Sequence, residues 1–151
     1  MPRICFVCHG NICRSPMAEV IFRDLLRARG LESDFTVDSA AVSAEELGNP
    51  IYPEAADTLR AHGLTPGSHR AYQLSRADYD RFDHFLCMDL SNLSRLRLLF
   101  GGDPAHRCAL LLSFTERPRE VEDPWYTGRF ERVYGELREG CEAFLTALTG
   151  E

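Results

Sequence analysis

The chain has 151 residues, 44% of them hydrophobic and 26% charged, which is the size and balance of one domain, residues 1–151, built on a single core. A formal net charge of -6 argues against nucleic acid as the main partner, because a phosphate backbone calls for a basic face. No apolar run approaches the ~20 residues that span a membrane; the opening Met1-Pro2-Arg3-Ile4-Cys5 has no signal-peptide core, and the expected location is the cytoplasm.

Arg3 to Val7 reads as a short buried strand. The loop Cys8-His9-Gly10-Asn11-Ile12-Cys13-Arg14-Ser15 follows, and then Met17, Val20, Ile21, Leu25 and Ala28 recur at helical spacing. Ser15 suits the N-cap and Pro16 the first helical position, with Gly30 as the stop. Phe35 to Ser39 alternates as a second strand that runs out in small residues through Val42. Residues 45–53 form an irregular loop, a helix is expected from about Pro53 to His62, and residues 65–73 are irregular again. His84 to Met88 is a third strand, and Asp89 caps a helix bearing Leu90, Leu93, Leu96 and Leu99 that Gly101 and Gly102 end. Cys108 to Leu112 reads as a strand buried on both faces, and residues 115–127 as a loop. The last helix carries one apolar stripe: Phe130, Val133, Tyr134, Leu137, Cys141, Phe144, Leu145 and Leu148. Strands alternating with helices predict a parallel sheet with both faces covered. Ligands of such sheets gather at the carboxyl ends of strands, where Cys8, Ser39 and Asp89 fall.

The stretch from Cys8 to Pro16 points to chemistry at phosphorus. Gly10 and Asn11 tolerate positive φ, so the loop can turn successive N–H groups inward as an anion nest at a helix start. Arg14 adds a guanidinium fork for two phosphate oxygens, and Cys8 sits where N–H dipoles and Arg14 favour a thiolate. A cysteine nucleophile would form a phosphocysteine and leave the loop to hold the equatorial oxygens. The leaving oxygen then needs a proton. Asp123 is the candidate donor, held extended by Pro124, with Glu120 and Glu122 expected to crowd it and favour its acid form.

Other readings of the same residues fit less well. Cys5-x2-Cys8-His9 matches a haem-attachment string, but haem attachment accompanies export. A zinc or thioredoxin-like use of Cys5 and Cys8 fails because a strand turns them to opposite faces. Cys5, Cys87, Cys108 and Cys141 read as small core hydrophobes, all six cysteines as reduced thiols, and His62, His84 and His106 as structural or solvated. Trp125 and Tyr126 suit either a core or a substrate-facing wall.

The loop VCHGNICRSP resembles the signature of the low-molecular-weight protein tyrosine phosphatases. Asp38-Ser39-Ala40, Gly48-Asn49-Pro50, Ser68-His69, Leu86-Cys87-Met88-Asp89 and Asp123-Pro124 fall in that family's order over essentially the whole length. The resemblance implies an α/β, three-layer fold: a four-stranded parallel sheet flanked by helices on both faces. It implies Cys8 as nucleophile, Arg14 as phosphate clamp and Asp123 as general acid, then base. His9, Gly10, Asn11, Ile12, Cys13 and Ser15 would complete the phosphate loop, with Ser15 on the Cys8 sulfur and Asn11, Ser39 and His69 bracing it. Cys13 would be a redox partner for Cys8, and Trp125 and Tyr126 the wall of a phosphotyrosine slot. No metal or cofactor is implied. The implied partners are phosphotyrosine proteins, a tyrosine kinase among them, with phosphate and other oxyanions as inhibitors, acting on a monomer.

The chain departs from the family pattern in having Trp125 after Asp-Pro, acids at Glu45 and Glu46 on the rim, His9 in the loop and Tyr72 after Ser-His-x-Ala. These changes bear on peptide preference. Arsenate reductases of the same fold add a nearby pair of resolving cysteines, whereas Cys87 and Cys108 are separated by a helix. Protein arginine phosphatases typically carry Thr where Ile12 stands, and a non-catalytic phosphotyrosine-binding module would lose the nucleophile or the acid.

Overall fold

The first strand is the axis of the sheet. In the computed structural model, which describes residues 1–150, β1 (Arg3–Cys8) lies between β2 (Thr36–Ala41) and β3 (His84–Cys87). The edge strand β4 (Cys108–Leu110) completes the order β2-β1-β3-β4, and every pairing is parallel. The chain leaves β1 towards one edge and returns on the other side, so the carboxyl end of β1 is the switch point where such sheets bind ligands.

Alternation along β1 builds two cores. Ile4, Phe6 and Cys8 face the larger one, with α1 (Arg14–Ala28), α2 (Pro53–Ala61) and α5 (Phe130–Thr149). Cys5 and Val7 face the smaller one, with Leu93 and Leu96 of α3 (Leu90–Leu99). Helices therefore cover both faces, and the expected three layers are present. The α5 stripe from Phe130 to Leu145 is buried throughout, and Asp89 caps α3 by accepting the Asn92 N–H at 2.8 Å. Among the described residues no helix is long and apolar enough to cross a membrane.

Three local expectations need correction, and one turn stands where none was expected. Ser15 does not cap α1; the helix starts at Arg14, and Ser15 points its hydroxyl into the loop instead. The strand expected from Cys108 to Leu112 stops at Leu110, because it lies at the sheet edge with Ala109 and Leu110 half-buried. Leu111 to Phe114 wind into a 3-10 turn that sends Leu111 and Leu112 into the larger core. They pack so closely on Gly140 that a Cβ there would lie 2.6 Å from the Leu111 Cγ. Within the stretch read as a loop, Pro124–Thr127 forms a one-turn helix, α4. Arg76–Arg81 forms a 3-10 turn that begins with a reciprocal Ser75–Asp78 cap.

Candidate active site

The loop leaving β1 is organised around Asn11, which has no exposed surface. Its φ of 60° lies in the left-handed region, where asparagine is among the few side chains at ease. Its N–H donates to the Cys8 Sγ at 3.3 Å. Its Nδ2 donates to the Ser15 Oγ at 2.8 Å and to the Ser39 Oγ at 3.0 Å, and its Oδ1 accepts the Tyr72 N–H at 3.0 Å. The His69 Nε2–H donates to the Asn11 carbonyl at 2.6 Å. Ser39 in turn donates to the Glu19 Oε1 at 2.7 Å. Because Ser15 accepts from Asn11, its own proton is available to the Cys8 sulfur 3.0 Å away. Gly10 does not adopt positive φ as expected; it supplies room, since a Cβ there would stand 3.2 Å from the Glu46 Cγ.

Arg14 opens α1 with its side chain 3% exposed. Its Nη1 donates to the Asp89 Oδ2 at 2.8 Å and to the Val121 carbonyl at 2.9 Å. Its Nη2 lies 3.6 Å from the Asp123 Oδ2. Burial works against the guanidinium charge, but the adjacent Cys8 sulfur, Asp89 and Asp123 outweigh it and raise the Arg14 pKa above its ordinary value. Asp123 divides its carboxylate, with Oδ1 capping α4 by accepting the Trp125 N–H at 3.1 Å and Oδ2 facing Arg14. Glu120 and Glu122 do not crowd it. The Glu120 carboxylate accepts the Leu90 N–H at 2.8 Å, and Glu122 bridges Arg129 and Arg132 at 2.8 and 3.3 Å.

Cys8, Arg14 and Asp123 meet in one cavity of about 130 Å³, together with His9, Gly10, Ile12 and Cys13. Its rim carries Glu45 and Glu46 on one side and Trp125 and Tyr126 on the other. Trp125 is 51% and Tyr126 83% exposed, so neither of the pair belongs to the core. Tyr52 backs Trp125 edge-on, with ring centroids 4.9 Å apart. Asn11, Ser15, Ser39 and His69 stand behind the loop and not in the cavity. All six cysteines are unpaired and buried. Desolvation pushes the Cys13 thiol up, with the neighbouring Cys8 and Asp123 charges adding to it, and burial also raises Cys5, Cys87, Cys108 and Cys141.

Sequence reasoning placed Asp89 at a helix cap but missed its second carboxylate oxygen on Arg14, and it missed Val121, Glu19, the Tyr72 N–H and Tyr52. The one available signal was Asp89 two residues past the end of β3, the strand that pairs with β1 up to Val7.

The chain matches the sequence model of the low molecular weight phosphotyrosine protein phosphatases over residues 3–151. It is 40% identical to the low molecular weight protein-tyrosine-phosphatase YfkJ of Bacillus subtilis, with 100% of this chain and 98% of that protein aligned. Against the human low molecular weight phosphotyrosine protein phosphatase it is 39% identical, covering 94% and 92%. The crystal structure of YfkJ superposes with a TM-score of 0.95 at 39% identity, covering 99% of this chain and 96% of that one. That of a Drosophila arginine phosphatase superposes with a TM-score of 0.89 at 33% identity, covering 97% of each chain. With fold, loop and sequence agreeing over nearly every residue, this chain belongs to the low molecular weight phosphotyrosine protein phosphatase family.

Proposed function

We propose that the protein hydrolyses phosphotyrosine in proteins through a phosphocysteine intermediate. The observation that carries the reading is the convergence of the Cys8 sulfur, the Arg14 guanidinium and the Asp123 carboxylate on one small cavity. In the first step the Cys8 thiolate forms an S–P bond as the P–O bond to tyrosine breaks. The carboxyl of Asp123 gives its proton to the departing phenolate oxygen. The backbone N–H groups of residues 9–14 and the Arg14 fork hold the equatorial oxygens. In the second step the Asp123 carboxylate takes a proton from a water that attacks phosphorus, releasing phosphate and restoring the thiolate.

An arriving phosphate dianion competes with Asp123 for the Arg14 Nη2, 3.6 Å away, and so frees that carboxyl to turn to the leaving oxygen. Ser15, bonded to the sulfur at 3.0 Å, stabilises Cys8 as attacking and as leaving group. Asn11, Ser39 and His69 hold the loop shape, and Trp125 and Tyr126 flank the substrate ring. Inorganic phosphate and related oxyanions inhibit by occupying the same cradle.

The same geometry supports redox control. Peroxide converts the Cys8 thiolate to a sulfenate and is itself reduced to water, and the Cys13 thiol, in the same cavity, displaces the sulfenate oxygen as hydroxide to form a disulfide that thiols reduce. The proposed setting is a monomer in the cytoplasm, in keeping with six unpaired cysteines, acting on phosphotyrosine proteins and their kinases. The likeness to an arginine phosphatase makes phosphoarginine the competing substrate; Ile12, apolar and lining the cavity, favours the aromatic one.

The test is steady-state hydrolysis of free phosphotyrosine and phosphoarginine by the reduced protein in excess chelator, with Cys8→Ser as control. Turnover of phosphotyrosine by the native chain alone is expected. Turnover by the Cys8→Ser protein, or preference for phosphoarginine, would overturn the reading.

A further inference from the structure

A second cavity, of about 400 Å³, shares no lining residue with the first. One wall is α1, which contributes Arg23 and Arg27 a helical turn apart; the other is the segment 65–70, which contributes His69 and Arg70. We propose that this groove is a separate binding site for a small phosphorylated molecule.

The two guanidinium groups best placed to hold one have donors to spare. Arg27 is 59% exposed, with Asp24 and Glu32 no nearer than 3.5 Å. Arg70 is exposed and, among the described residues, makes no hydrogen bond or ion pair. They stand on opposite walls, and a guanidinium fork matches phosphate oxygens in a way that a point charge does not.

Two carboxylates also line the groove, and both are already engaged. Glu19 accepts from the Ser39 hydroxyl and from Arg23, and the Asp38 Oδ1 accepts the Ser39 N–H at 2.9 Å. Lining the groove, Arg23, Arg27 and Arg70 stand against Glu19 and Asp38, with Asp24 and Glu32 each 3.5 Å from Arg27. The groove's volume falls among small-molecule sites, roughly 300–1,000 Å³. Two of its lining residues belong to the bracing of the phosphate loop, since His69 donates to the Asn11 carbonyl and Glu19 anchors Ser39. An occupant therefore touches the braces of the catalytic loop without entering the catalytic cavity.

Inorganic pyrophosphate is the probe, followed by backbone amide shifts in NMR spectra of the native chain and of an Arg27→Ala/Arg70→Ala variant. The native chain is expected to respond in two regions with two isotherms: residues 9–15, from the catalytic cradle, and residues 23–27 with 66–70, from the groove. The double substitution removes two charge-assisted contacts and should weaken the groove isotherm by at least about tenfold while sparing the first. Its phosphotyrosine turnover in pyrophosphate-free buffer should stay within about twofold of native, as for other exposed substitutions. Shifts confined to residues 9–15 would overturn the proposal, as would a groove isotherm that survives the double substitution. Because binding is read without turnover, the experiment decides the matter even for a chain that proves inactive towards phosphotyrosine.

Discussion

Residues 8–15 and residues 120–129 meet across one cavity, yet they are held there by different physics. The phosphate loop is built like a core. Asn11, Arg14 and Ser15 are buried, and each polar atom described above has a named partner within the protein. The acid loop is built like a surface: a one-turn helix, an aspartate dividing its carboxylate, and ion pairs to the more than half-exposed Arg129 and Arg132. A cradle for a dianion must be preorganised, because reorganising dipoles during reaction raises the barrier. A proton donor must instead admit a bulky substrate and then approach its leaving oxygen, which a lightly fastened segment allows.

Substitutions at the proposed reacting groups should show the largest effects on both sides. Cys8→Ser is expected to lower phosphotyrosine hydrolysis to background while phosphate still binds, as measured by calorimetry; retained turnover would remove Cys8 from its role. Asp123→Asn should slow hydrolysis by roughly 10²–10⁴-fold, the usual span for a general acid. A rate within a few-fold of native would move the acid to another residue.

Next in size comes a change that acts only through the bracing. Asn11→Ala leaves the Ser15 and Ser39 hydroxyls and the Tyr72 N–H short of a partner in a buried site, and puts alanine in the left-handed region. A loss of about 2–4 kcal/mol in stability is expected, since one unsatisfied buried group costs about 1–3 kcal/mol and neighbouring terms do not add fully. Urea unfolding measures it. A midpoint unchanged from native would mean that the loop does not depend on this network, and the contrast between the two regions would fail on its buried side.

The same contrast explains what could be read from the sequence. The phosphate loop was legible because its constraints are local: glycine, asparagine, arginine and serine at fixed spacing between a strand and a helix. The α5 stripe was legible because period 3.6 and burial coincide over several turns. Ser15 misled, since serine before proline at a helix start has the form of an N-cap, and only the tertiary position of Cys8 and Asn11 diverts its hydroxyl. β4 misled because an apolar run reads alike in a strand and in a turn pressed on Gly140 from a distant helix. The pairing of Arg14 with Asp89 joins the start of α1 to the end of β3, and no local pattern announces a contact made across a sheet.

The smallest expected effect tests the surface side. The hydrogen bond from Arg129, with Thr127 and Arg132 behind it, holds the Glu122 carboxyl below its ordinary value. A carboxylate lowered on folding stabilises the native form above the unfolded value, about 4.3, and its contribution is lost as pH falls through the folded value. The fastening of the acid loop should therefore be complete at neutral pH and weaken only in acid. Since Arg129 and Arg132 are more than half exposed, the bridge is worth at most about 1 kcal/mol, so Glu122→Gln should change kcat by no more than about fivefold at neutral pH. High salt should shrink the difference between Glu122→Gln and native by screening the bridge. In acid the difference should vanish, because the native carboxylate is then protonated too. Amide exchange across residues 120–129 reads the same effect without turnover, and should quicken in Glu122→Gln while residues 8–15 stay unchanged. Equal quickening in both segments would show that the two walls are mechanically one unit, and the division between a fixed cradle and a lightly held acid would have to be given up.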